Sequence, residues 1–266
     1  MTSQHEVGRL FDVQGGQVHA DVREGDGPVL IFLHYWGGSR RTWGPVLRRL
    51  DAGPGYLAYD QRGWGDSASL PWPYDLDQFA DDAQRVIDAL DGSRYVLVGH
   101  SMGGKVAQLL AARKPAGLLG VVLVAPAPPA PIGVTEQLLE AVSHAYDSEE
   151  TVLQGIDQML THRALTAELR RQVVEDSLRG GEQARLAWPR QGMIQDLSAS
   201  VAAIDVPVLV LAGSHDKVDP PAVLADHLLP LIPTASLTVL TGTGHLSPLE
   251  VPDQVAAHIG RFVAQL

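Results

Sequence analysis

Cysteine is absent from the 266 residues. Disulfide bonds, thiolate metal centres and a cysteine nucleophile are therefore excluded together. Basic residues are scarce, with 20 Lys and Arg against 31 Asp and Glu, a formal net charge of -11 and no basic cluster. Nucleic acid and anionic membrane surfaces both attract Lys and Arg, so neither is an expected partner. Long apolar runs are missing too: none approaches the ~20 residues that span a bilayer, and Met1 to Gln14 is polar with no apolar signal core. The expectation is a soluble, cytoplasmic protein. Low-complexity stretches and internal repeats are also lacking. At 45% hydrophobic content the chain can bury one large core, alone or with an insertion.

What is present is an alternation of short apolar runs with helix-length segments. Strands are expected over Arg9 to Val13, Gln17 to Arg23, Val29 to Leu33, Gly55 to Tyr59, Tyr95 to Val98, Gly120 to Val124, Val206 to Leu211 and Ser236 to Leu240. The runs Val121 to Val124 and Val208 to Leu211 are continuously apolar, as in parallel strands covered on both faces. Helices are expected over Arg41 to Asp51, Leu76 to Leu90, Gly104 to Arg113, Pro220 to Leu229 and Pro252 to Leu266. After Val124 the alternation stops. A Pro-rich start (Pro126, Pro128, Pro129, Pro131) leads into amphipathic segments, Thr135 to Tyr146, Ser148 to Leu160 and Thr166 to Leu178, with no strand signal. Residues 126–201 therefore read as a helical cap inserted between a core of 1–125 and 202–266. Its apolar positions, among them Leu138, Leu139, Val142, Val152, Ile156 and Met159, must pack on one another or over the sheet. Trp188 and Met193, in a less regular stretch near Pro189 and Gly192, are the residues expected to reach a substrate pocket.

The chemistry centres on Gly99-His100-Ser101-Met102-Gly103, which follows an apolar strand and precedes a helical run. A serine on a tight strand-to-helix turn flanked by glycines presents its hydroxyl at the carboxyl end of a strand. The hydroxyl becomes a nucleophile only when an imidazole takes its proton and a carboxylate fixes that imidazole. Two later strands end in loops on the same edge, one holding His215, Asp216 and Asp219, the other ending Gly242-Thr243-Gly244-His245. Of ten histidines, His245 alone follows the last strand in a Gly-rich turn. His100 is expected to point away from Ser101 as a structural residue. His215 reads as a loop residue, and His5, His19, His144, His162, His227 and His258 as solvated or helix-face residues. Asp219 precedes Pro220-Pro221 and a helical run as a helix N-cap would, leaving Asp216 as the orienting acid. The chain order Ser101, Asp216, His245 is that of the α/β-hydrolases.

On these residues the chain resembles the α/β-hydrolase family, in particular its small bacterial esterases, lactonases and perhydrolases. Two further stretches carry the likeness: Asp60-Gln61-Arg62-Gly63-Trp64-Gly65-Asp66-Ser67, similar to the family turn D-x-R-G-x-G-x-S, and Gly244-His245 followed by Glu250-Val251-Pro252. The resemblance implies an eight-stranded, mostly parallel sheet flanked by helices, with a helical cap after the sixth strand. It also implies structural roles for Asp60 and Arg62, as an ion pair or in bonding the turn. Two backbone donors would form the oxyanion hole, Met102 after the nucleophile and Trp36 in the loop His34-Tyr35-Trp36-Gly37-Gly38-Ser39. Tyr35 stands where the family has glycine. It brings a phenol towards the pocket as a substrate contact or a rim residue, at a position where positive φ would be poorly tolerated.

Serine rather than aspartate at the elbow argues against the dehalogenases and epoxide hydrolases of this fold. It favours acyl chemistry on a small, largely apolar ester or lactone, without metal or organic cofactor. Two alternatives stand beside it. One is a perhydrolase or haloperoxidase-like enzyme, in which peroxide replaces water on the acyl-enzyme; Gly37 occupies a place where, by resemblance, that group tends to carry proline. The other is a non-catalytic small-ligand receptor built on the same fold.

Overall fold

A computed structural model describes residues 6–51, 53–90 and 94–266. Its strands are β1 (Val7–Val13), β2 (Gly16–Arg23), β3 (Val29–Leu33), β4 (Tyr56–Tyr59), β5 (Tyr95–His100), β6 (Leu118–Val124), β7 (Val208–Gly213) and β8 (Ala235–Leu240). They form one sheet in the order β1-β2-β4-β3-β5-β6-β7-β8. The β1–β2 hairpin is antiparallel and β2 runs antiparallel to β4, while every pair from β4 to β8 is parallel. Central β4, β5 and β7 are buried along their whole length, whereas β2, near the edge, alternates buried and accessible residues. That is the difference between strands covered on two faces and on one.

The helices are α1 (Gly44–Leu47), α2 (Leu76–Asp88), α3 (Met102–Ala112), α4 (Glu136–Ser143), α5 (Glu149–Gly155), α6 (Ala167–Arg179), α7 (Glu182–Ala187), α8 (Ser198–Val201), α9 (Pro221–His227), α10 (Ser247–Glu250) and α11 (Pro252–Val263). Period-two alternation along the strands divides the core. Ile31, Leu57 and Leu97 pack with Phe79 of α2 and Val106 and Leu110 of α3. Leu30, Phe32, Val96 and Val122 pack on the opposite face with Trp43 and with Val255 and Ile259 of α11. Among the described residues no helix is long and apolar enough to cross a membrane.

Several elements differ from the sequence reading. The helix expected over Arg41 to Asp51 is a 3-10 turn at Arg40–Trp43, capped by Ser39, followed by the four-residue α1 with Pro45 in its first turn. Strand β7 runs to Gly213 rather than Leu211, carrying the following loop to the sheet edge. In the segment between β6 and β7, Thr135, Ser148 and Thr166 are N-caps whose hydroxyls accept from the N–H groups of Leu138, Thr151 and Leu169. Helix α7 lies outside the helical stretches read from the sequence.

Asp60 and Arg62 are structural residues, yet they do not pair with each other. Arg62 makes a bidentate pair with Asp82 at 2.8 Å, both side chains 1% exposed, and donates to the Pro71 and Gln14 carbonyls. Asp60 pairs with Arg40 and accepts from the N–H groups of Arg40 and Asp66, closing the turn.

Candidate active site

Ser101 sits between β5 and α3 with φ 52° and ψ -114°, a positive φ that the close-packed turn imposes on a non-glycine residue. The flanking glycines are required by backbone approach rather than by crowding of the serine. A Cβ at Gly103 would lie 2.5 Å from the Leu33 carbonyl oxygen, and one at Gly99 would lie 2.4 Å from that of Gly103. The helix thus starts tight against the end of β3, and its first residue is Met102 rather than Gly104.

His245 arrives on the loop after β8 and Asp216 on the loop after β7. The His245 Nε2 lies 2.9 Å from the Ser101 Oγ, and its Nδ1 lies 2.9 Å from the Asp216 Oδ2. With Asp216 ionised, Nδ1–H donates to the carboxylate and Nε2 accepts from the serine hydroxyl. The other Asp216 oxygen accepts from the backbone N–H groups of Val218 and Asp219, which fixes the carboxylate plane. Burial lowers the affinity of the His245 ring for a proton, but the adjacent Asp216 carboxylate outweighs it, and the net shift is upward from 6.5. His100, fully buried, donates from Nε2 to the His245 carbonyl at 2.8 Å, and burial holds its ring neutral, well below 6.5. It is a positioning residue that grips the histidine loop from behind. His144, His162, His215 and His227 are exposed and His19 and His258 half-buried, while His5 lies outside the described residues.

The Asp219 side chain does not cap α9, whose N-cap is Pro220 and has no side-chain bond. Proline in the first turn supplies the φ and needs no donor there, so the cap is dispensable. Asp219 instead turns inward, is 8% exposed and lines the same cavity as Ser101, where burial pushes its carboxyl up to about 7.

The loop after β3 carries the second proposed donor. Neither the Trp36 nor the Met102 backbone N–H donates to another group among the described residues. The positive φ in this loop falls on Gly37, at 87°, and Tyr35 is relieved of it. Tyr35 is 2% exposed, packs its ring 5.1 Å from that of His100 and forms a wall of the cavity rather than its rim. His34 ties the loop down, with Nδ1–H donating to the Tyr35 carbonyl and Nε2 accepting from the Gln61 N–H.

The segment between β6 and β7 grips this loop at four points. The Tyr146 hydroxyl donates to the Trp36 carbonyl, Ser177 donates to the Gly37 carbonyl, the Trp36 indole donates to the Arg185 carbonyl, and Ser39 donates to Asp176. Nothing in the sequence singles out Tyr146 for this task. The same segment roofs a cavity of about 290 Å³ whose walls include Ser101, His245, Tyr35, Trp36, Trp188 and Met193. Leu138, Val142, Val152 and Met159 also line it, while Val152 and Ile156, each 1% exposed, belong to the buried core and Val142 packs against that core. Lys105, one helical turn after Ser101, is a polar wall residue that sequence reasoning passed over as part of an apolar helix. Its sole sequence signal is a lone charge at the head of the run Lys105 to Ala112.

A model of the alpha/beta hydrolase family matches residues 30–258, and the chain belongs to that family. Among curated proteins it is similar to 2-(acetamidomethylene)succinate hydrolase of Mesorhizobium japonicum, at 26% identity over 99% of this chain and 97% of that protein. It is also similar to non-heme chloroperoxidase CPO-A1 of Kitasatospora aureofaciens, at 27% identity over 83% and 86% of the two chains. Among solved structures, an esterase from Exiguobacterium antarcticum superposes with a TM-score of 0.87 at 22% identity, covering 97% of this chain and all of that one. At that identity the likeness speaks for the fold.

Proposed function

We propose that the protein is a serine hydrolase of small carboxylic esters or lactones, acting through an acyl-enzyme. The observation that carries the reading is the unbroken series Asp216, His245, Ser101, two contacts of 2.9 Å opening into a cavity lined mostly by apolar side chains. Ser101 Oγ attacks the carbonyl carbon while His245 Nε2 takes its proton, and Asp216 holds the imidazolium. The oxyanion is met by the Met102 and Trp36 N–H groups. Collapse expels the alkoxide, which takes the proton from His245. Water then attacks the acyl-enzyme with His245 again as base, releasing the acid and regenerating Ser101.

Similarity to a chloroperoxidase favours a second reading, in which hydrogen peroxide replaces that water and a peracid leaves. Gly37 speaks against it: at φ 87° proline cannot stand there, since its ring holds φ near -65°. Turnover of a chain-length series of p-nitrophenyl esters and a lactone panel, with and without peroxide, tests both. Tight retention of a small ligand with no turnover of any member would favour a receptor and overturn the hydrolase reading.

A further inference from the structure

A basic and an acidic side chain, Lys105 and Asp219, line the cavity of Ser101 and form no ion pair with each other. Lys105 is 1% exposed, and its ammonium makes no hydrogen bond or ion pair among the described residues. Two carboxylates act on it through space, Asp219 and Asp196. Asp196 is exposed and bonds the backbone N–H of Ser198, so it gives the ammonium no direct partner. The Asp219 carboxyl oxygens likewise accept no hydrogen bond among the described residues, although its backbone N–H is held by Asp216.

A buried cation is strongly disfavoured unless an anion meets it, and a buried carboxyl is disfavoured as the anion. Burial accordingly brings Lys105 down to about 8 and takes Asp219 up to about 7, so near neutral pH the lysine is charged while the Asp219 carboxyl is readily protonated. An apolar ester filling the pocket would leave this ammonium desolvated and uncompensated. A cationic substrate would meet two lysines, because Lys217 lines the same cavity with its ammonium on the Gln158 carbonyl. A carboxylate suits the pair: it accepts from the ammonium and from Asp219 in its acid form.

We propose that Lys105 anchors a free carboxylate on the substrate, with Asp219 donating to the same group, so that the enzyme acts on esters or lactones of carboxylate-bearing molecules. This rests on the hydrolase reading above. Charge-assisted bonds of this kind discriminate by about 10- to 100-fold.

The test compares monomethyl esters of the diacids from succinate to suberate with methyl esters of monocarboxylic acids of matched length, and carboxylated lactones with their parents. In the wild type, kcat/KM should favour a carboxylated member by about 10- to 100-fold. Lys105→Met should collapse that ratio, and Lys105→Arg should restore part of it. Ratios at or below one throughout, or a preference that Lys105→Met leaves intact, would overturn the proposal. If the methionine variant does not fold, the wild type decides: free diacids should inhibit at least about tenfold more tightly than matched monoacids, and equal inhibition overturns the anchor. Calorimetric titration with the diacids separates the two readings. Diacid binding by a protein that cleaves no ester keeps the anchor and sinks the hydrolase, whereas ester turnover without any diacid preference does the reverse.

Discussion

The hydroxyl of Tyr146 donates a 2.7 Å hydrogen bond to the carbonyl of Trp36. A residue of the segment between β6 and β7 thereby orients the peptide next to the N–H proposed to hold the oxyanion, and its ring lies 4.1 Å from the Trp36 indole. The contact is close enough that a Cβ at Gly37 would come within 2.3 Å of the Tyr146 ring. Removing the hydroxyl should therefore affect rate as well as stability. Tyr146→Phe is expected to lose about 1 kcal/mol of stability for one buried hydrogen bond and to lower kcat about tenfold, with KM little changed. A loss of stability with kcat intact would mean that Tyr146 holds the fold and not the site.

Ser101 should be labelled alone by an organophosphonate, with stoichiometric loss of activity. Ser101→Ala should lower turnover by on the order of 10⁴ or more. Labelling mapped by mass spectrometry to another residue would refute the assignment.

Asp216 holds His245 in the tautomer that leaves Nε2 free to accept, and an amide there can reverse that choice. Asp216→Asn should cost about 10⁴ in kcat, against about tenfold or less for Asp219→Asn. Because the His245 ring is raised above 6.5 and must be neutral to act as a base, kcat/KM should fall with decreasing pH on a limb centred above 6.5. In Asp216→Asn the residual activity should keep its acid limb to a lower pH. A limb that does not move would separate the titration from Asp216.

Asp219 provides a stability test of opposite sign to that of a helix cap. Its folded value, about 7, lies above the ordinary 3.8, so folding takes up a proton between them. The stabilisation is fully present below pH 3.8 and is lost as pH rises through 7. Asp219→Asn has no proton to lose. Its melting temperature relative to the wild type should therefore be higher at pH 8 than at pH 5; a constant offset at both pH values would refute the buried-carboxyl account.

Trp188 and Met193 share the cavity with Ser101 without touching the proton path. Truncating either to alanine should alter relative specificity among acyl and alcohol sizes by about 1 to 3 kcal/mol, while phosphonate labelling of Ser101 persists. An unchanged ranking across a broad ester panel would place the specificity surface elsewhere.

What could be read from sequence was what local pattern dictates. Continuous apolar runs marked the buried strands, and the Gly99 to Gly103 turn marked the serine. The loops after β7 and β8 pointed to Asp216 and His245 because strand ends sharing an edge must converge. Asp219 was misjudged because Asp-Pro-Pro before a helix looks the same whether the carboxyl caps outward or turns into a pocket. The partners of Asp60 and Arg62 were out of reach, since Arg40 and Asp82 lie 20 residues away from each in opposite directions along the chain. Tyr146 carries no local mark and Lys105 only a lone charge at the head of an uncharged helical run: each acquires its place when a separate element closes over the sheet.

The backbone of Ser101 adds a consequence for how such a chain can change. At φ 52° the residue occupies a conformation that glycine adopts freely and serine at a cost of about 1 to 3 kcal/mol. Substitution by glycine would thus relax the turn and abolish the hydroxyl together. Selection for thermal robustness and selection for turnover pull this position in opposite directions, and a lineage released from the second would drift towards a sturdier, inert relative with the same fold.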